Sequence, residues 1–259
     1  MLTKGICFYT DNRLDPKIVK RVQNNLKKIS NDRDIPIVSS SLKKMNFGDK
    51  NIWFPNLKRG SVTMFKQILA ALENSTADII FFAEHDVLYS SSHFDFTPPK
   101  TNRYYYNEHV WKMEVGDKTA MRHYCRQTSG LCAYRETLLT HYQKRVAMCE
   151  KYFDEEGGNR GTPVRYDGYK KSMGYEPGKR ITIHGEGTPH QHAHYIKGRI
   201  DDIKSSSWRS KVPLVDIKHN LCLTASYWKL TVYRNRTYLP GYLISKTIPG
   251  WGKVEDILK

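Results

Sequence analysis

The sequence has no apolar run of the about 18 residues that a membrane-crossing helix needs. It also lacks a charged-then-apolar leader, because Met1 runs almost directly into a strand-like stretch. Both absences argue against a membrane-spanning or conventionally secreted protein and predict a cytoplasmic one. Cysteine is scarce: Cys7, Cys125, Cys132, Cys149 and Cys222 are odd in number, unevenly spaced and without a C-x-x-C pair, which excludes a disulfide framework and a zinc knuckle and fits a reducing compartment. No internal repeat and no low-complexity linker divides the chain, so one domain over residues 1–259 is expected. Acidic residues are in deficit as well, 26 Asp and Glu against 42 Lys and Arg, for a formal net charge of +16.

What remains is a basic, aromatic-rich chain of a length that can bury a core without staples. Mean hydropathy is −0.64, but 12% aromatic residues, 17 of them Tyr, argue against disorder because such rings favour burial or stacking. The basic residues run from Lys17, Lys20 and Arg21 through Arg122, Arg126 and Arg135 to Arg234 and Arg236 with no separate tail, so any basic surface has to be assembled by folding. That surface either meets a polyanionic partner or only keeps the protein soluble.

The pattern along the chain is α/β. Gly5–Thr10 reads as a buried strand, and Asp15-Pro16 caps an amphipathic helix over 16–29. Residues 35–40 read as a second strand, and a helix follows Gly60 with Phe65, Ile68, Leu69 and Leu72 at helical spacing. Further elements are a strand near 108–114, a helix over 135–152 and a strand near 213–219. The decisive stretch is Ala77–Ala83, apolar throughout except for Asp78 near its start and expected of a strand buried on both faces, which stops abruptly at Glu84-His85-Asp86. Charge at the carboxyl end of a parallel strand is where open α/β sheets place their sites. Those three side chains offer the hard oxygen donors, with an imidazole, that Mg²⁺ or Mn²⁺ accepts, and such an ion stabilises a departing diphosphate. They would otherwise simply cap a strand end.

Phe8-Tyr9-Thr10-Asp11-Asn12 after the first strand, Met64-Phe65-Lys66-Gln67-Ile68-Leu69 on the following helix, and Ile79 through Tyr89 together resemble the glycosyltransferase family-two-like group. The resemblance covers most of the chain, loosely in its last third. It implies a GT-A fold, a mixed central sheet flanked by helices, with a nucleotide-sugar-binding half (1–90), an acceptor half (91–220) and a C-terminal extension (221–259). It also implies a D-x-D metal motif, here altered to Glu84-His85-Asp86, in which Asp86 matches the last Asp and becomes a ligand for Mn²⁺ or Mg²⁺. By the same resemblance His219 is the late histidine that completes the metal site, and Glu84 and His85 lie beside the donor. Tyr9, Thr10, Asp11 and Asn12 hold the nucleotide, with Tyr9 or a nearby ring against the base. Lys66 and Gln67 reach the donor, and a UDP-sugar is the favoured donor. Asp167 in Arg165-Tyr166-Asp167-Gly168-Tyr169 stands where the family has its catalytic base, with Glu176 and then Asp154 in reserve. Each has a plain reading beside this one: Asp167 as a helix N-cap, His219 as an ordinary strand-end histidine, Lys66 and Gln67 as a solvated helix face.

His190, His192 and His194 alternate, so in a strand they share one face, as a zinc site or an acceptor-contact loop. Phage-borne proteins of this appearance make a 5-hydroxymethyl pyrimidine in DNA the acceptor the resemblance favours, with action in the host cytoplasm if the protein is phage-encoded. The charge and the interleaved Trp208-Arg209, Tyr227-Trp228-Lys229 and Tyr233-Arg234-Asn235-Arg236 suit phosphate contact and base stacking. A cell-surface polysaccharide or lipid-linked acceptor is the alternative, and a non-catalytic nucleic-acid-binding protein on the same scaffold is the competing class.

Overall fold

The computed structural model describes residues 2–156, 176–178, 200–221 and 236–259. In chain order the strands are β1 (Lys4–Thr10), β2 (Ile37–Ser41), β3 (Lys50–Trp53), β4 (Ile79–Glu84), β5 (Val87–Leu88), β6 (Arg103–Asn107), β7 (Val110–Glu114), β8 (Ala120–Arg122), β9 (Leu131–Tyr134), β10 (Lys204–Trp208), β11 (Leu214–Lys218) and β12 (Leu243–Ser245), followed by the small antiparallel pair β13 (Thr247–Ile248) and β14 (Gly252–Lys253). The helices are α1 (Pro16–Arg33), α2 (Ser61–Glu73) and α3 (Arg135–Tyr152). Among the described residues a seven-stranded sheet has the order β10-β6-β9-β4-β1-β2-β3, and a five-stranded sheet has the order β12-β8-β7-β11-β5. β4 is central; β1 lies beside it, parallel to both β2 and β4, whereas β9 runs antiparallel between β4 and β6. The expected mixed α/β sheet with flanking helices is therefore present.

Alternation along β1 and β4 decides which helix covers which face. Ile6, Phe8, Ile79, Phe81 and Ala83 join Ile18, Val22, Leu26 and Ile29 of α1 in one core. Cys7, Tyr9, Ile80 and Phe82 join Phe65, Ile68 and Leu72 of α2 and Leu138 and Tyr142 of α3 in the other. β4 is thus buried on both faces, which is why its sequence is an unbroken apolar run. Helix α1 starts where Asp15 accepts from Lys17 N at 2.8 Å and Pro16 follows the cap. It extends past the expected 29 to Arg33 and ends at Asp34 in the left-handed region, φ 52°. The last turn carries no apolar residue, so periodicity alone gave no sign of it. The aromatic stretch Tyr104-Tyr105-Tyr106 lies in β6, paired on both sides.

Beneath the first sheet's edge His93 is fully buried, its ring 5.5 Å from Trp208 in a near-parallel stack and its Nδ1 accepting from Asn107 Nδ2 at 3.0 Å. Burial lowers its pKa to about 3. Below pH 6.5 the unfolded chain binds a proton there that the folded chain does not, so this contribution to stability falls as pH falls, by about 1.4 kcal/mol per unit. Urea unfolding of the wild type and His93→Phe at pH 6.5 and 5 should show a loss about 2 kcal/mol smaller in the variant. Equal losses in the two proteins would sink this account of His93.

Candidate metal centre

Tyr9 and Glu84 are register partners on the adjacent parallel strands β1 and β4, so the residues that follow them emerge side by side at the sheet's carboxyl edge. Thr10 Oγ1 and His85 Nδ1 meet at 2.5 Å. Beyond His85 the chain turns into β5, which pairs antiparallel with β11 in the register Asp216↔Val87. One step along that ladder Ile217 N donates to Asp86 O at 2.8 Å. This carries His219, just past the end of β11, over Asp86, with Nε2 at 3.3 Å from Oδ2. Two distant segments of chain are thereby fused at one point.

His85, Asp86 and His219 each present one ligand atom, all within 4.8 Å of one another, and all three residues are half-buried. His219 Nε2 and Asp86 Oδ2, at 3.3 Å, are already near the about 3 Å that neighbouring donor atoms keep when each is about 2.1 Å from one cation. The donor chemistry fits: Thr10 Oγ1 can accept a hydrogen bond from His85 Nδ1–H, leaving Nε2 as the ligand, the usual outer support of a metal-bound imidazole. His219 Nδ1 accepts from Leu221 N at 3.1 Å, and ligation through Nε2 would place the proton on Nδ1 and release that contact.

The two carboxylates differ sharply. For Asp86, burial pushes the pKa up, but the His219 hydrogen bond and the charges of His85, Lys218 and His219 outweigh it and bring it down to about 2. Glu84 goes the other way, to about 8, through burial first and then the neighbouring Asp86 charge. Its longer side chain turns back to accept from Tyr9 OH at 2.6 Å, outside the three-residue group. Below the pair, buried Asp216 accepts from Lys112 at 3.1 Å and from Lys218 at 2.8 Å.

Several expected donor contacts are directed elsewhere. Tyr9 is only 5% exposed, with its ring edge-on to Phe82 and its hydroxyl committed to Glu84, so it has no open face for a base. Lys66 lies at 3.4 Å from Glu150 of α3, because its helix position faces that neighbour. Gln67 is buried and donates to Thr10 O at 2.8 Å, bracing the end of β1. Asn12, at φ 60°, accepts from Leu42 N and Lys43 N at 2.8 Å each and ties the β1 loop to the β2 loop. Asp11 lies 3.8 Å from His85 Nδ1 and is paired with Arg59. Trp208, expected to stack on a base, is sandwiched between Phe96 at 4.2 Å and His93. Arg209 covers the face of Tyr124 at 3.8 Å, with Arg122 at 5.1 Å from the same ring. Glu176 lies 3.5 Å from Arg145 of α3, apart from the three-residue group. Asp167, the histidines at 190, 192 and 194, and Tyr227 through Asn235 lie outside the described residues. Sequence reasoning did not single out Arg59, and although the residue pattern admits the His85 imidazole as a ligand, the resemblance sets His85 beside the donor.

No protein-family model and no curated protein matches the chain. Solved structures do. S. aureus TarS (residues 1–349) is similar at 9% identity and TM-score 0.41 over 84% of this chain and 61% of that one, so this chain spans about three fifths of its length. The galactosyltransferase LgtC with donor and acceptor sugar analogues is similar at 12% identity and TM-score 0.40, over 91% and 96%. A glycosyltransferase involved in glycosylation of the major capsid of PBCV-1 follows at 8% and 0.37, over 57% and 68%. A likeness of this extent assigns no residue a role. Among the described residues no helix is long and apolar enough to cross a membrane, and Cys7, Cys125, Cys132 and Cys149 form no disulfide.

Proposed function

We propose that this chain is a metal-dependent glycosyltransferase that moves a sugar from a nucleotide-diphosphate sugar to a hydroxyl acceptor. The observation that carries the reading is the His85–Asp86–His219 group at the carboxyl edge of parallel strands β1 and β4, where an open α/β sheet takes its ligand. Asp86, His85 and His219 hold the cation. When bound, a divalent ion there supplies positive charge against the departing diphosphate. The bond between the sugar's anomeric carbon and the phosphate oxygen breaks, and a bond to the acceptor oxygen forms. If the transfer inverts, the acceptor's hydroxyl proton passes to a carboxylate, for which Asp167 and then Glu176 are the candidates. Thr10, Asp11 and Asn12 line the loop beside the cation, where the nucleotide is expected, with UDP favoured.

Two imidazoles and one carboxylate suit Mn²⁺ better than Mg²⁺, which prefers oxygen donors and gives up its water reluctantly. Thermal denaturation with each metal and each common nucleoside diphosphate tests this without assuming an acceptor. A nucleotide at about 100 times its Kd adds about 2.7 kcal/mol, or about 5–10 °C for a chain of this size. The shift should need Mn²⁺, be weaker with Mg²⁺, and be largest with UDP. A shift with DNA alone and none with any metal–nucleotide pair would favour the non-catalytic binding protein.

For the acceptor we favour a 5-hydroxymethyl pyrimidine in DNA, on the net charge of +16 and on the Arg122 and Arg209 guanidinium groups gathered at Tyr124, as phosphate contacts. Labelled sugar should pass from the donor to hydroxymethylated duplex and not to unmodified duplex. Transfer to a lipid-linked or polysaccharide acceptor instead would redirect the proposal to a cell-surface glycan.

A further inference from the structure

We infer that Arg59 is a positioning residue that assembles the metal centre by tying its two ligand-bearing loops together, an inference that rests on the metal reading of that site. Arg59 Nε pairs with Asp11 Oδ2, and the other carboxylate oxygen of Asp11 lies 3.8 Å from His85 Nδ1. Arg59 Nη2 donates to Leu221 O at 2.6 Å, and Leu221 N in turn donates to His219 Nδ1 at 3.1 Å. His219 Nε2 then reaches Asp86. The contacts form a circuit through positions 11, 59, 221, 219, 86 and 85. One guanidinium spans the gap between the β1 loop and the loop after β11, which no backbone ladder joins in these contacts.

The side chain suits that task and its anchor is firm. A planar fork places two donors on two acceptors at fixed angles, whereas a lysine ammonium is a point charge on a flexible stem. The backbone beside Arg59 is held against the chain that follows α3. A Cβ on Gly60 would stand 2.2 Å from Glu155 O and 2.3 Å from Glu156 Cα, so only glycine permits that approach. Lys58 N donates to Glu155 Oε2 at 2.8 Å and Thr63 Oγ1 to Lys58 O at 2.6 Å. Arg59 therefore reaches out from a fixed point and holds the β1 loop through Asp11 and the His219-bearing loop through Leu221 O, a hold that persists when a cation on Nε2 releases the Leu221 N contact.

Outer partners of metal ligands typically hold about 10–100-fold of metal affinity. The test is the Mn²⁺ dissociation constant of the metal-stripped full chain, read by electron paramagnetic resonance without nucleotide, alongside the metal-free melting temperature. Arg59→Ala and Arg59→Lys should each bind Mn²⁺ about 10–100-fold more weakly while the metal-free protein stays folded. Lys58→Ala, whose ammonium is an exposed 3.9 Å partner of Glu156, should bind as the wild type does. Should Arg59→Ala fail to fold, Asp11→Asn cuts the same circuit at its other side and should show the same loss. Wild-type affinity in Arg59→Ala or Asp11→Asn, or full rescue by lysine, overturns the inference and leaves the centre standing. No Mn²⁺ binding by the wild type overturns the centre itself.

Discussion

Asp86→Asn should abolish the stabilisation of the protein by Mn²⁺ with a nucleoside diphosphate and lower sugar transfer by about 10²–10³-fold or more, the scale set by removing one electrostatic contact to a developing charge. The substitution keeps the volume of the side chain and removes only its charge, so the fold should persist. Asp86 alone in the group supplies a formal negative charge, because the two histidines are neutral ligands and Glu84 is drawn toward Tyr9. Its low pKa, about 2, keeps that charge across the working range of any enzyme. Glu84→Gln should do far less to metal binding, since burial already favours the protonated form of that side chain. Calorimetric titration of the metal-stripped proteins with Mn²⁺ separates the two. If Asp86→Asn keeps wild-type affinity, the metal assignment is wrong; if Glu84→Gln loses as much as Asp86→Asn, Glu84 is a ligand after all.

Asp216→Asn should cost about 3–5 kcal/mol of stability, the usual result of stripping one partner from a buried ion pair. Lys112 and Asp216 sit opposite each other on the parallel strands β7 and β11, with side chains 4% and 5% exposed. Burial opposes the charge of Asp216, but the Lys218 and Lys112 ammonium groups more than offset it and hold its pKa below the ordinary carboxylate value. Removing the carboxylate leaves the buried Lys112 charge without that partner, in a sheet that cannot hydrate it. For a chain of this size the loss lowers the melting temperature by about 6–20 °C. Replacing both partners, Lys112→Met with Asp216→Leu, should recover most of it, because two apolar groups of similar volume carry no desolvation penalty. A double variant as unstable as the single one would mean the ion pair is not the cause.

The second effect also bears on the site. β11 carries His219 at its end, and its register with β5 sets the distance to Asp86. A loosened β7–β11 pair should therefore weaken Mn²⁺ binding as well as stability. Asp216 stands on β11 three residues before His219, and Lys112 holds it from β7.

Local pattern made part of this protein legible in its sequence. The apolar run of β4 and the charge that ends it are chemistry within ten residues, and an unbroken hydrophobic strand has few places to go other than the middle of a sheet. Asp15 with Pro16, and the spacing of Ile18, Val22, Leu26 and Ile29, likewise specify α1 and its buried face by themselves. The choice between Glu84, His85 and Asp86 was not decidable there. Which of three neighbouring side chains turns outward depends on what waits for each one: Tyr9 takes Glu84, Thr10 takes one side of His85, and β11 brings His219 to Asp86. Tyr9 and Trp208 show the same limit in reverse, since an aromatic ring reads alike in sequence whether it faces solvent or is enclosed by Phe82 or Phe96. Secondary structure and core faces follow from side-chain period, which is a property of adjacent residues. The candidate metal group and the Arg59 contacts proposed to support it join positions 11, 59, 86, 219 and 221, and only tertiary packing decides contacts between segments whose separation along the chain carries no periodic signal.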